Sequence, residues 1–71
     1  MPNEIRAQIT GTVWKVEKQA GDAVAEGDVV VILESMKMEI PIEAETAGTI
    51  VEVKVKEGDP VTEGALIATL Q

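Results

Sequence analysis

The chain has 71 residues, with 13 acidic and 6 basic side chains, a formal net charge of −7, and neither cysteine nor histidine. That length allows a single domain, 1–71; the missing cysteine excludes disulfide staples, zinc–thiolate sites and thiol nucleophiles, and the missing histidine removes the commonest general base and any triad built on it. The acidic charge is spread along the chain, which argues against nucleic acid or an anionic membrane surface as partner, and no apolar stretch approaches membrane-spanning length; residues 1–6 lack the features of a secretory leader, so the expectation is a cytoplasmic protein.

Alternation, not helical spacing, dominates along the chain. Ile5, Ala7 and Ile9 alternate with polar residues, and Trp14 and Val16 alternate with Lys15 and Glu17. Both stretches predict strands with one buried face, Trp14 and Val16 pointing inward. Gly21-Asp22 and Gly27 punctuate turns that need permissive backbone angles. Residues 29–33 form an unbroken β-branched run, predicted to be a central, well-buried strand. Met38, Ile40 and Ile42 alternate with Glu39, Pro41 and Glu43, so Met38 is expected to belong partly to the core, and Pro41 marks an edge strand. Val51, Val53 and Val55 predict a further strand, Gly58-Asp59 and Gly64 further turns, and residues 66–70 a last strand.

These elements repeat. A shift of 37 positions lays Gly11 to Glu34 over Gly48 to Gln71 without a gap, and nine of the 24 pairs are identical, among them Gly11/Gly48, Gly21/Gly58, Asp22/Asp59, Gly27/Gly64 and Leu33/Leu70. A fixed internal period is the mark of one structural unit used twice. Each unit has an apolar face too small to bury alone. The predicted architecture is all-β: a flattened barrel or sandwich of two antiparallel sheets with internal pseudo-two-fold symmetry. The units span about 1–34 and 38–71, joined by a hairpin at 35–37, with Met1 and Gln71 together at the opposite end. Lys37 is therefore a lysine displayed at a tip. Met36 and Met38 flank it, and methionine suits surfaces that dock partners. The chain offers Lys37 no activating base, so another protein must activate its reaction partner. With no histidine, no cysteine and no length for a cleft, an independent enzyme is not expected.

The run Glu34-Ser35-Met36-Lys37-Met38-Glu39 resembles the biotinyl-lysine motif of biotin carboxyl carrier domains, in which Met-Lys-Met brackets the modified lysine. The paired Gly-Asp-x-Val-x-x-Gly segments at 21–27 and 58–64 are also similar to that family and to its relatives, the lipoyl domains. The resemblance covers nearly the whole chain. It departs at Ser35, where alanine is usual, and the gapless repeat leaves no room for the protruding insertion that some carriers have in the first half. It implies that Lys37 takes biotin in amide linkage from a biotin protein ligase that reads Glu34, Ser35, Met36 and Met38. It also implies a carrier without activity of its own: biotin carboxylase would load carboxyl onto biotin and a carboxyltransferase would pass it on. Lipoate at Lys37, serving a 2-oxoacid dehydrogenase-type system, is the alternative cofactor, and an unmodified β-sandwich binding module is the alternative class. Beginning with Met, the chain reads as a free-standing carrier or as the end of a larger carboxylase expressed alone.

Overall fold

A computed structural model describes residues 3–71. It contains eight strands: β1 (Asn3–Arg6), β2 (Gly11–Val16), β3 (Ala23–Val24), β4 (Val29–Ser35), β5 (Met38–Glu43), β6 (Gly48–Val53), β7 (Pro60–Val61) and β8 (Leu66–Leu70). They form two four-stranded sheets, ordered β1-β8-β6-β3 and β5-β4-β2-β7, with every pairing antiparallel. Among the described residues no helix is long and apolar enough to cross a membrane.

The two halves do not make one sheet each; they interleave. Each sheet takes two strands from the first half and two from the second. Asn3 pairs with Leu70, which brings the described ends of the chain together, while Ser35 pairs with Met38 in the hairpin that the two-fold axis places at the other end. Met1 lies outside the described residues. The molecule is correspondingly long and narrow, 33 × 17 × 17 Å.

The two-fold holds down to single hydrogen bonds. Gly21 N donates to Ile50 O at 2.8 Å, and its mate Gly58 N donates to Val13 O at 2.8 Å. Each of these glycines sits third in a turn closed by an i+3 bond, with φ of 95° and 92°. A side chain is strained at that angle, and the pattern is that of a type II turn. The aspartate that follows accepts a bond from the backbone three residues back, Gln19 N to Asp22 Oδ2 at 2.8 Å and Lys56 N to Asp59 Oδ2 at 3.0 Å, locking the turn shut.

Paired β-bulges correct the expected inward phase of Trp14. On β2, Val13 faces Leu33 and Lys15 faces Ile32, so Trp14 is an extra residue in the ladder; on β6, Val51 is extra in the same way. The bulge turns Val13 and Val16 toward the interior and pushes Trp14 out: Val13 is 1% exposed and Trp14 46%. A second pair of bulges, at Val30 of β4 and Ile67 of β8, lets neighbouring residues both face inward. Val30 and Val31 are fully buried, as are Ile67 and Ala68. Of the run 29–33, Val30, Val31 and Leu33 are buried as expected, whereas Val29 and Ile32 are half-buried; β4 is an inner strand. Strand β5, with Pro41, is an edge, where the missing N–H of proline can face away from the ladder.

Candidate functional site: the Met36-Lys37 hairpin

Strand β4 runs through Ser35 and β5 begins at Met38, so the turn holds two residues, not the three of the expected 35–37 hairpin. Both have positive φ, 53° at Met36 and 65° at Lys37. Two central residues in the left-handed region define a type I′ turn, the form whose twist matches the flanking strands. Asn and Gly normally fill it; Met and Lys have no such preference, and an L-residue held there costs about 1–2 kcal/mol. The sequence therefore gave no sign of the turn type. Only the strand register, with Ser35 opposite Met38, reveals it.

This turn carries Lys37 clear of the fold. Lys37 and Glu34 are exposed, Ser35 is half-buried, and Met36 is 89% exposed. Met38 is 58% exposed, against the expectation that it joins the core. Burial along β5 fades toward the tip, from Ile42 (3% exposed) through half-buried Ile40 to Met38. Both methionines of the motif thus present apolar surface to solvent beside the lysine. Glu34 and Glu39 are direct cross-strand partners one step below the turn. The ion pairs among the described residues join Arg6 to Glu4 at 2.7 Å and Lys54 to Glu52 at 2.9 Å, and neither involves Lys37. No group of three or more metal-ligating side chains is gathered among the described residues. The arrangement offers one exposed primary amine at the apex of a two-residue turn, in no ion pair among the described residues.

Strain at the turn has a measurable consequence. Met36→Asn, which tolerates the left-handed region and leaves Lys37 in place, is expected to stabilise the domain by about 0.5–1 kcal/mol. The readout is the urea midpoint at unchanged m-value; an unmoved or lowered midpoint would show that Met36 holds its angles without strain.

One positioning residue is not evident from the sequence pattern. Gly11 lies against the β4 end of the hairpin: a Cβ built on it would stand 2.6 Å from the backbone oxygen of Glu34. The repeat matches Gly11 with Gly48, but nothing in that match points to the strand leading into Lys37.

Comparison with known proteins agrees with this geometry. The Biotin_lipoyl family model, described as biotin-requiring enzyme, matches residues 1–70. The chain is 52% identical over 42 residues to the biotinylated protein TB7.3 of Mycobacterium tuberculosis, a match covering 59% of each chain. It is 55% identical over 38 residues to the biotin/lipoyl attachment protein of Bacillus subtilis, covering 54% of this chain and 52% of that one. These matches span little more than half the length of the curated relatives. Among solved structures, the Kluyveromyces lactis urea carboxylase superposes with a TM-score of 0.95 at 34% identity, over 100% of this chain and 6% of that one. The lipoyl domain of the 2-oxoglutarate dehydrogenase complex of Azotobacter vinelandii superposes with a TM-score of 0.73 at 35% identity, over 87% of this chain and 78% of that one. With the family model spanning nearly every residue and the two-sheet fold shared with both carboxylase and lipoyl domains, the chain belongs to the biotin/lipoyl attachment domain family.

Proposed function

We propose that this chain is a biotin carrier, biotinylated at Lys37 Nζ and serving a biotin-dependent carboxylase in the cytoplasm. The observation that carries the reading is the lysine itself: an exposed amine at the apex of a type I′ turn, between two exposed methionines, at the one point where the internal repeat is interrupted. The residues fit the group. Lys37, exposed at the apex of the turn, would hold it. In the attachment step, Lys37 Nζ attacks the carbonyl carbon of an adenylated biotin; the N–C bond forms, the bond to the phosphate oxygen breaks, AMP leaves and the amine gives up a proton. A biotin protein ligase supplies the adenylate. Bound biotin supplies a ureido nitrogen that can accept and release a carboxyl group. The domain contributes reach and effective concentration, presenting one tethered group to biotin carboxylase and then to carboxyltransferase. The matching domains of a urea carboxylase and of an acyl-coenzyme A carboxylase subunit support a carboxylase as the host.

The test is the intact mass after co-expression with a biotin protein ligase, in medium supplying both biotin and lipoate. The expected result is a single biotinyl adduct that peptide mapping places on Lys37. A lipoyl adduct moves the function to 2-oxoacid metabolism, and an unmodified chain removes the carrier reading altogether.

A further inference from the structure

The internal two-fold supplies a control that most proteins lack, because each outward-facing position on one sheet has a counterpart on the other with the same backbone. The outer face of the sheet that bears Lys37 is crossed by a row running from Trp14 in its bulge through Ile32 to Pro41, its cross-strand partner. Trp14 and Pro41 are exposed and Ile32 is half-buried. The counterparts of these residues are Val51, Thr69 and Glu4, and the register matches, with Thr69 opposite Glu4. The fold therefore accepts polar residues at two of these positions and a smaller side chain at the third. Packing does not demand the apolar row beside the lysine.

Charge breaks the symmetry too. Glu34, Glu39 and Glu43 border the apolar row, and none of them is in an ion pair among the described residues. On the opposite face, Arg6 stands where Glu43 would be and pairs with Glu4 at 2.7 Å, while Glu52 pairs with Lys54 at 2.9 Å. One face settles its charges internally. The other leaves three carboxylates around an apolar strip, with Lys15 at its β2 end.

We infer that the outer face of β5-β4-β2 is the docking surface for the enzyme that acylates Lys37, and that it receives an apolar side chain set among lysines and arginines. The inference rests on the biotin-attachment reading above. An acylating enzyme must choose Lys37 over Lys15, Lys54 and Lys56, which are also exposed, on a scaffold whose turns and strands are nearly duplicated. It does so by reading what the two-fold does not duplicate: the Met36-Lys37 turn itself and the face that continues from it on the same two strands. The Ile32–Pro41 pair lies three residues below Ser35 and Met38 on the same two strands, or about 10 Å at the rise of a β-strand. An interface of ordinary size that covers the hairpin covers this row as well. Unpaired carboxylates at its margin steer a basic partner and fix its orientation.

The experiment measures kcat and KM for biotinylation of the full chain by a purified bacterial biotin protein ligase with biotin and ATP. The row is replaced by its own counterparts, Trp14→Val, Ile32→Thr and Pro41→Glu, together and singly, so that each new side chain is one the scaffold already holds at the matching position. Expected is a fall in kcat/KM of about 10-fold or more for the triple variant, carried by KM, as for loss of a central contact. Glu43→Arg is expected to raise KM several-fold and to flatten its dependence on salt. Val51→Ala, on the opposite face, is expected to behave as wild type. Urea midpoints identify any variant that has lost its fold, and the single variants and Glu43→Arg then carry the comparison. An unmodified wild-type chain overturns the attachment reading and this inference with it. A modified wild type whose folded variants match it in KM overturns the docking face alone.

Discussion

Lys37→Arg is expected to abolish biotin attachment completely while leaving the urea midpoint within about 0.5 kcal/mol of wild type, as for an exposed substitution that breaks no contact. The two halves of this expectation come from different features of the hairpin. Chemically, arginine keeps the charge and length of the side chain but not the reactivity, since a guanidinium does not give up its proton in proteins and presents no amine to an acyl adenylate. Structurally, Lys37 is exposed and is in no ion pair among the described residues, so no such contact is lost from the fold. The turn still carries a long cationic side chain in the left-handed region, so its strain is retained. The remaining lysines do not substitute for the lost one. Lys15 lies within a strand, Lys54 is ion-paired with Glu52, and Lys18 and Lys56 lie in the connections that follow β2 and β6. None of them stands at a type I′ apex. Intact mass and peptide mapping after co-expression with ligase give the readout. Biotin on another lysine of the variant would mean that local chemistry, not the displayed hairpin, selects the site; a large loss of stability would mean that Lys37 does structural work that its exposure hides.

The parts of this site that were legible in the sequence are those that the repeat exposes. The 37-residue offset located Lys37 at the junction of the halves, and the alternating residues gave strands, the edge position of Pro41 and the two-sheet architecture. Matched glycines marked turns that need positive φ, as at Gly21 and Gly58. What the sequence concealed lies where backbone geometry departs from regular pairing. A bulge adds one residue to a strand without any compositional mark, and that single insertion sent Trp14 outward when alternation had sent it inward. Met38 kept the phase of Ile42 but lies at the tip end of β5, where burial has faded, so its periodicity was right and its burial wrong. The type I′ turn was hidden because Met-Lys is chosen against local preference. A local rule broken without gain to the fold is expected where function has set the residue.

Gly11→Ala tests how the fold aims that hairpin, and its expected cost is about 1–3 kcal/mol, the range for forcing atoms into a filled site. The new Cβ would lie 2.6 Å from Glu34 O and 3.3 Å from the Glu34 carbonyl carbon, closer than such atoms approach. Neither group can step aside alone, because Glu34 is paired with Thr12 on one side and Glu39 on the other. Relief requires β2 to part from the end of β4, which loosens the stem that presents Lys37. A domain of this size has only about 4–10 kcal/mol of stability to draw on, so the melting temperature is expected to fall by roughly 5–20 °C. The two-fold again supplies the control. Gly48 occupies the matching position, but its Cβ would stand 3.0 Å from Gln71 O, and a shift of a few tenths of an ångström accommodates it. Gly48→Ala is therefore expected to be nearly neutral, since the reduced freedom of the unfolded chain offsets the small strain. Equal losses at the two positions would show that the contact with Glu34 is not the cause. The functional readout separates aim from stability: at a temperature where Gly11→Ala remains folded, its KM for biotinylation is expected to rise while Gly48→Ala matches wild type, because only Gly11 abuts the strand that leads into the lysine.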